Sequence, residues 1–471
     1  MLFQQIAIKH RHIHFVGIGG IGMSGIAEIL LTLGYRISGS DMKSSAITER
    51  LESLGARVFE GHAGANTEGA DAIVVSSAIP SDNPERIAAK TRQIPIIERG
   101  ELLAELMRLK YGIAIAGSHG KTTTTSIAAA VLHSTGKDPT VVVGGRVGAF
   151  GSNARLGKSD LLLVESDESD GSFLKLAPIV AVITCIDAEH VDHYGSFDRV
   201  KEAFVEFANR VPFYGSAILG IDDPEVRKIL PSIKRTVLTY GTSPDADLVA
   251  RNIDCGHLNS RFELRYRGLE LGQFTVRAVG RHNVLNSMAA VLVALELEVS
   301  VESIRRGLAS FSGVDRRFQI RGEQAGVTVI DDYGHHPTEI RATLQAARNC
   351  SFNRIHVVFQ PHRYSRTQLL ESEFAACFGD CDELQVLDIY SAGESPIEGI
   401  NAERLAAGIQ AAASQTSVTY APSMEEACRA AAESAQPGDA IITLGAGSVW
   451  RAGEKILARL ASPERQATAQ L

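Results

Sequence analysis

Cysteine is scarce in this chain. Six residues, Cys185, Cys255, Cys350, Cys377, Cys381 and Cys428, lie scattered over 471 positions. Cys377 and Cys381 stand one helical turn apart, but no second Cys or His pair is near enough to complete a zinc site. Free thiols in a reducing cytoplasm are therefore expected. Long apolar runs are missing as well: none approaches the ~20 residues that span a bilayer, which argues against membrane insertion. The opening Met1-Leu2-Phe3-Gln4-Gln5 lacks the basic start and long apolar core of a signal peptide. Nor is there an excess of positive charge. The 47 Lys and Arg against 55 Asp and Glu leave a formal net charge of -8. A general nucleic-acid binder is disfavoured, because nothing replaces phosphate counterions. A nucleotide substrate is not, since Mg²⁺ can supply local positive charge. No internal repeat at solenoid periods is visible. What remains is an ordinary globular composition, 45% hydrophobic and 22% charged, over a length that implies two to four domains.

One stretch organises the rest. The apolar run Ile113-Ala114-Ile115-Ala116 leads into Gly117-Ser118-His119-Gly120-Lys121-Thr122-Thr123-Thr124-Thr125 and then into the helix formers Ile127 to Leu132. Strand, glycine loop, lysine and helix form a triphosphate site. Loop amides and the helix N-terminus face phosphate oxygens, Lys121 neutralises charge, and the Thr122 hydroxyl can reach Mg²⁺. The loop is shorter than the common pattern, with Ile115 where the first glycine would stand. Downstream, Leu161 to Val164 runs into Glu165-Ser166-Asp167-Glu168-Ser169-Asp170. A carboxylate at that strand end suits Mg²⁺, with Glu165 the first candidate. Asp167, Glu168 and Asp170 read equally as ligands or as a solvated acidic turn. Ile179 to Thr184 leads to Asp187-Ala188-Glu189-His190-Val191-Asp192, where His190 is either a second metal ligand or a hydrogen-bonded loop residue. Thr140 to Val143 reads as a strand ending in a turn at Gly144-Gly145.

The N-terminal segment opens with the strand His12 to Val16 and the loop Gly17-Ile18-Gly19-Gly20-Ile21-Gly22, followed by a helical pattern from Met23 to Leu33. Gly17, Gly19 and Gly22 fit a dinucleotide fingerprint, and Asp41 ends the next strand. The residues support a pyrophosphate near backbone amides; uridine diphosphate would serve as well as NAD. Ser76 and Ser77 follow the strand Ala72 to Val75, at the end where open α/β sheets bind ligands. A boundary is placed near Leu109. Residues 248–278 alternate as a small antiparallel element would. Gly280-Arg281-His282-Asn283 then opens a helix through Leu297. Asn283 and Asn286 share a face, and a buried asparagine can read an adenine edge or simply cap and pack. From near Gly313, strands and helices alternate again as a doubly wound sheet. Its strand ends carry Asp331 to Pro337, Gln360 to Arg366, and Gly445 to Gly447. Arg363 and Arg366, one turn apart, can clamp a carboxylate or phosphate. The tail from Ser462 is polar.

Six motifs thus occur in order over nearly the whole chain: Gly117 to Thr125, Glu165 to Asp170, Glu189-His190-x-Asp192, Gly280-x-His282-Asn283-x-x-Asn286, Asp331 to Pro337, and Phe359 to Arg366. This set resembles the Mur ligases of bacterial peptidoglycan synthesis. Within them it is most similar to the alanine-adding branch, particularly at His14 to Glu28. The resemblance implies an α/β protein of three domains: a Rossmann-like domain (1–109) holding UDP-N-acetylmuramate, a central P-loop ATPase-type mixed sheet (110–313), and a C-terminal Rossmann-like domain (314–471) that closes over ATP and the amino acid. It implies a cytoplasmic enzyme using ATP, Mg²⁺ and L-alanine, in which the γ-phosphate passes to the sugar's lactyl carboxylate and the amine attacks the acyl phosphate.

Carried over residue by residue, Gly17, Gly19, Gly20, Gly22, Asp41, Ser76 and Ser77 would serve the UDP-sugar. Gly117, Ser118, His119, Gly120, Lys121, Thr122 and Thr123 would hold the phosphates of ATP, with Asn283 as adenine reader and Arg317 and Asp332 as contacts delivered on closure. Lys121, Glu165 and His190 would be catalytic, and Thr122, Glu165 and His190 would bind metal. His335, Arg363 and Arg366 would receive the amino acid. No nucleic-acid partner and no membrane insertion are expected, and the chain should be a monomer or weak homodimer. Several siblings use a carbamylated lysine, but Ala203 to Phe207 offers none, and Lys201 is not assigned that role. Other readings are a recycling ligase that adds a tripeptide to the same sugar, an NAD-dependent dehydrogenase, and a nucleotide-binding module without catalysis. The dehydrogenase reading leaves the phosphate loop and Glu165 unexplained.

Overall fold

The computed structural model describes residues 11–76, 78–147, 152–256 and 258–462. Met1 to Gln5, Ser77 and the tail beyond Ser462 lie outside them. Three sheets carry the fold. The first comprises β1 (His12–Val16), β2 (Arg36–Asp41), β3 (Arg57–Glu60), β4 (Ala72–Val75) and β5 (Ile96–Glu98), all parallel in the order β3-β2-β1-β4-β5. Its central strand is buried at every position, its two histidines included. The glycine loop follows β1 and opens α1 (Ile21–Thr32). The amides of Gly17 and Ile18 donate to the carbonyl of Ser40 at 2.8 and 2.9 Å, so β2 anchors the loop. Gly39 permits this approach, since a Cβ there would fall 2.6 Å from Ile18. The chain continues through α2 (Pro84–Thr91) and α3 (Arg99–Arg108).

The second sheet has ten strands: β6 (Tyr111–Ala116), β7 (Thr140–Val147), β8 (Ser152–Arg155), β9 (Leu161–Glu165), β10 (Val180–Ile183), β11 (Ser216–Gly220), β12 (Thr236–Gly241), β13 (Leu248–Asp254), β14 (Ser260–Tyr266) and β15 (Leu269–Val276). Their order is β15-β14-β13-β12-β11-β10-β6-β9-β7-β8. Strands β10, β6 and β9 are parallel neighbours, so their carboxyl ends open on one edge. β6 feeds α4 (Lys121–Ser134) there. One sequence expectation is corrected here. Gly144-Gly145 is not a turn: β7 runs through both glycines to Val147 and pairs antiparallel with β8. A register shift between Val142 and Val147 absorbs the irregularity, and glycines tolerate such a bulge.

The third sheet comprises β16 (Gln319–Gln324), β17 (Val327–Asp332), β18 (Ile355–Phe359), β19 (Glu383–Val386), β20 (Ser417–Tyr420) and β21 (Ala440–Leu444), ordered β16-β17-β21-β18-β19-β20. Only β16 is antiparallel to its neighbour. The sequence reading found β17, β18, β19 and β21 and missed the edge strands β16 and β20, which are half exposed and so lack an apolar run. Helices α5 (Arg281–Glu296), α6 (Pro337–Asn349) and α7 (Tyr364–Leu369) complete the elements needed below.

The chain packs as two compact units. One is Met1–Arg251 with Glu263–Phe274 and Leu285–Ser312; the other is Asn252–Phe262 with Thr275–Val284 and Gly313–Leu471. Each has its own core. In the first, Phe173 stacks on Phe207 at 5.1 Å and meets Phe204 edge-on at 5.4 Å. In the second, Phe359 packs against Phe374 and Phe378 at 5.7 and 5.1 Å. A fully buried phenylalanine contributes about 1.5–3 kcal/mol.

Candidate active site

The phosphate loop owes its shape to two glycines in left-handed backbone. Gly117 has φ +133° and Gly120, which caps α4, has φ +80°. A Cβ on Gly117 would stand 2.0 Å from Thr184 Oγ1, and one on Gly120 would stand 2.5 Å from Asn286 Oδ1. The loop is therefore gripped from two sides. Thr184 beyond β10 donates to the carbonyl of His119 at 2.5 Å. Asn286 of α5 accepts from Thr124 at 3.1 Å. The Ser118 hydroxyl accepts the Asp187 amide at 2.8 Å, and the His119 ring meets the Asp187 carboxylate at 2.9 Å. Thr123 is buried in the first turn of α4.

Lys121 folds back along this loop. Its ammonium donates to the carbonyls of Gly117 and Ser118, at 2.6 and 3.1 Å, and to Glu168 Oε1 at 2.7 Å. Burial opposes the charge on Lys121, but Glu168, Glu165 and Glu189 outweigh it and raise its pKa, so the ammonium stays charged. Burial acts the other way on Glu168, pushing its carboxyl up to about 7 against the pull of Lys121. Thr122 donates to Glu165 Oε1 at 2.8 Å. His190 sits in left-handed backbone, φ +57°, a conformation uncommon for a non-glycine residue. Its Nε2 lies 3.7 Å from Glu168 Oε1. One ligand atom each of Glu168, Glu189 and His190 lie within 4.8 Å of one another. Glu168 Oε2 is buried with no hydrogen-bond partner.

Thus the residues expected at the triphosphate, Gly117 to Thr123 with Glu165 and His190, come together at three adjacent strand ends. The structure adds three whose part the sequence left open or unassigned. Glu168 was one of three equivalent acids in a run, and only tertiary packing turns it onto Lys121. Glu189 lay inside a quoted motif. Asn286 shares its helix face with Asn283, whose Nδ2 donates to the Val279 carbonyl at 2.8 Å. Lys201, which the sequence left unassigned, pairs with Asp198 and Glu225.

The first loop is built separately, against β2. Gly19 donates to Asp41 Oδ2 at 2.8 Å, and the other oxygen of Asp41 accepts the Met42 amide. A Cβ on Gly19 would meet Asp41 Oδ2 at 2.8 Å. Gly20 caps α1 and Gly22 lies in its first turn. Ser76 follows β4. Beneath the loop is a buried network that no local motif signals. Ser40 donates to Glu85 Oε2 at 2.6 Å, Asn66 donates to Glu85 Oε1 at 2.7 Å, and His62 meets Glu85 Oε2 at 3.1 Å. Burial alone would raise the Glu85 pKa; His14, Ser40 and Asn66 outweigh it and hold it low.

In the second unit, Asp332 is buried and accepts from the Phe318 and Gly334 amides, at 2.7 and 2.8 Å, and from Thr343 at 3.2 Å. It thereby fixes the loop bearing Arg317, whose guanidinium lies 5.2 Å from the Tyr333 ring centroid and bonds Glu339 at 3.3 Å. His335 faces His362 edge-on at 5.9 Å, and Arg366 donates to His362 Nδ1 at 3.4 Å. Burial, followed by His335, Arg366 and Arg363, pushes His362 down to about 4, so it stays neutral. Arg363, with φ +73°, caps α7 and extends toward Glu394 at 4.0 Å. His335 and Arg366 are thus joined through His362, while Arg363 turns aside.

Three family profiles match the chain in succession: "Mur ligase family, catalytic domain" over residues 12–111, "Mur ligase middle domain" over 115–294 and "Mur ligase, glutamate ligase domain" over 316–447. A UDP-N-acetylmuramate–L-alanine ligase of Solibacter usitatus is 60% identical over 458 residues, 97% of each chain. One of Koribacter versatilis is 57% identical over 96% of this chain and 98% of its own. Among solved structures, the UDP-N-acetylmuramate–alanine ligase of Thermotoga maritima superposes with a TM-score of 0.79 at 27% identity, covering 98% of this chain and 100% of that one. A murein peptide ligase of Psychrobacter arcticus shares the fold at a TM-score of 0.68 and 22% identity, over 96% and 99% of the two chains. With these matches across the three sheets, the chain belongs to the Mur ligase family.

Proposed function

We propose that the chain joins L-alanine to the lactyl carboxylate of UDP-N-acetylmuramate at the cost of ATP, releasing ADP and phosphate, in peptidoglycan precursor synthesis. The observation that carries this reading is the near-full-length identity to relatives bearing that activity in their names. A carboxylate is a poor electrophile. Its oxygen attacks the γ-phosphorus, the bond to ADP breaks, and the acyl phosphate so formed has a leaving group. The amine of L-alanine then attacks the carbonyl carbon and loses a proton, and inorganic phosphate departs.

Lys121 balances charge on the transferring phosphoryl group and is already fixed in place by the loop carbonyls. Loop amides and the N-terminus of α4 receive phosphate oxygens. Asn283 serves the adenine, and Arg317 the nucleotide, with Asp332 holding its loop. Gly17, Gly19, Gly20, Gly22, Asp41, Ser76 and Ser77 serve the UDP-sugar. His335, Arg363 and Arg366 receive the amino acid, with neutral His362 between the first and last of them. The residues also fit Mg²⁺: Thr122, Glu165, Glu168 and Glu189 offer hard oxygen donors, and Glu168 Oε2 is buried without a partner. Thr122 with Glu165, and His190 with Glu168, would hold it, and bound there it would screen phosphate charge and sharpen the phosphorus as an electrophile. The domain boundaries 1–109, 110–313 and 314–471 and a cytoplasmic location belong to the same proposal. Among the described residues, no helix is long and apolar enough to cross a membrane.

Phosphate release is the direct test, measured with UDP-N-acetylmuramate, ATP and Mg²⁺ across a panel of amino acids and the murein tripeptide. Release with L-alanine is expected. Release with the tripeptide alone, or none at all, overturns the assignment.

A further inference from the structure

The loop that follows β19 grips the segment Pro361 to Ser365 from one side. Tyr390 donates its amide to the Pro361 carbonyl, and its own carbonyl accepts the Arg363 amide, both at 2.8 Å. Its ring stacks on His362, with 5.5 Å between centroids and 12° between planes. Beyond Tyr390 the chain reverses in a tight turn. The Glu394 amide donates to the Ser391 carbonyl at 3.0 Å, with Ala392 at φ +51° and Gly393 at φ +90° between them. Such a turn needs left-handed backbone at both central residues, which glycine adopts freely. It carries the Glu394 carboxylate back onto α7. Oε2 accepts the Ser365 amide at 3.0 Å; Oε1 accepts the Ser365 hydroxyl at 2.6 Å and lies 4.0 Å from Arg363 Nε. Burial alone would raise the Glu394 pKa; Ser365 and Arg363 outweigh it and hold it low, so the group stays charged. These bonds secure an unusual backbone. Arg363 enters α7 with φ +73° and ψ +138°, a region that L residues rarely adopt and that persists only where the surroundings impose it. Its side chain supplies no cap to the helix, and Glu394 satisfies a first-turn amide from outside. Arg363 and Arg366 both leave the chain at this braced turn.

We propose that Glu394 is a positioning residue for the amino-acid substrate: by bracing α7 through Ser365 and holding the turn at Arg363, it sets the two guanidiniums at the spacing that receives an α-carboxylate. Glu394 itself touches no reacting group. This rests on the reading of His335, Arg363 and Arg366 as the amino-acid site. Guanidiniums carried on a fixed turn give up less freedom on closing around a carboxylate than the same groups on a loose one, so the brace acts on substrate affinity.

The test is steady-state phosphate release by the full chain with L-alanine and with L-alaninamide, which keeps the amine and lacks the carboxylate. Glu394→Ala should raise KM for L-alanine about tenfold, as expected when a charge-assisted contact is misplaced, and leave KM for ATP and for UDP-N-acetylmuramate within about twofold. With L-alaninamide, the variant and the unsubstituted protein should have equal kcat/KM within about twofold, because the clamp has no carboxylate to hold. Where L-alaninamide is not turned over, its inhibition of the L-alanine reaction gives the same comparison. Glu394→Gln, which keeps one acceptor oxygen for Ser365, should fall between the two proteins, and it carries the test if Glu394→Ala does not fold. An unchanged KM for L-alanine in a folded variant overturns the proposal. So does an equal loss with L-alaninamide, or a fall in kcat with KM unmoved. If the unsubstituted protein releases no phosphate with L-alanine, the reading of the site fails, and this inference with it.

Discussion

The Lys121 ammonium is held by two loop carbonyls and one carboxylate, so its position is set before any phosphate arrives. Truncating it removes a preorganised charge where charge develops in transfer. Lys121→Ala should lower kcat by at least a hundredfold while leaving the calorimetric affinity for UDP-N-acetylmuramate unchanged, because that loop lies on another sheet. Loss of sugar binding in the folded variant would contradict separate sites. His282 offers a second residue-scale prediction. Burial, then Arg317, pushes it down to about 4 from an ordinary 6.5. The unfolded chain then binds the proton first as pH falls, so stability is full above pH 6.5 and is lost progressively toward pH 4, by up to roughly 3 kcal/mol. His362 adds in the same direction. Denaturant melts at pH 7.5 and 5 should show this loss, and His282→Gln should show less of it; an equal loss would exclude the histidine. Lys121, Thr122, Glu165 and His190 were legible in sequence because each lies in a local motif. Glu168 was not singled out, because a run of acids at a strand end does not reveal which one turns inward.

The phosphate loop is an element whose conformation is permitted by glycine and enforced by neighbours distant in sequence. Gly120→Ala would strain a left-handed residue and drive a methyl into Asn286. Such strain costs about 1–3 kcal/mol. A lower melting temperature and a raised KM for ATP are expected, with UDP-sugar affinity intact; an unchanged KM would show that the loop geometry does not depend on this grip. The strand–loop–helix pattern was readable from the alternation of apolar run, glycines and hydroxyls. The clamp by Thr184 and Asn286 was not, because its partners are 65 and 162 residues away. The misread turn at Gly144-Gly145 has the same origin: glycine pairs suggest turns locally, and only pairing with β8 carries the strand through them.

Two compact units with separate phenylalanine cores make single-step unfolding an unsafe expectation for the whole molecule. Scanning calorimetry should show two transitions. Saturating UDP-sugar should raise one of them by mass action, since Gly17, Gly19 and Asp41 all lie in the first unit. A single transition shifted as a whole would mean that the units unfold together. By itself the sequence determined the α/β class, the order of the motifs and the chemical type of most site residues. Those are set by period, by glycine placement and by short spacings within one strand–loop–helix unit. The tertiary structure alone decided that β10, β6 and β9 are neighbours, that Glu168 meets Lys121, and that Glu85 lies buried under the first loop. Sheet order and long-range side-chain pairing follow from how separate segments bury their apolar faces against one another, which local sequence does not encode.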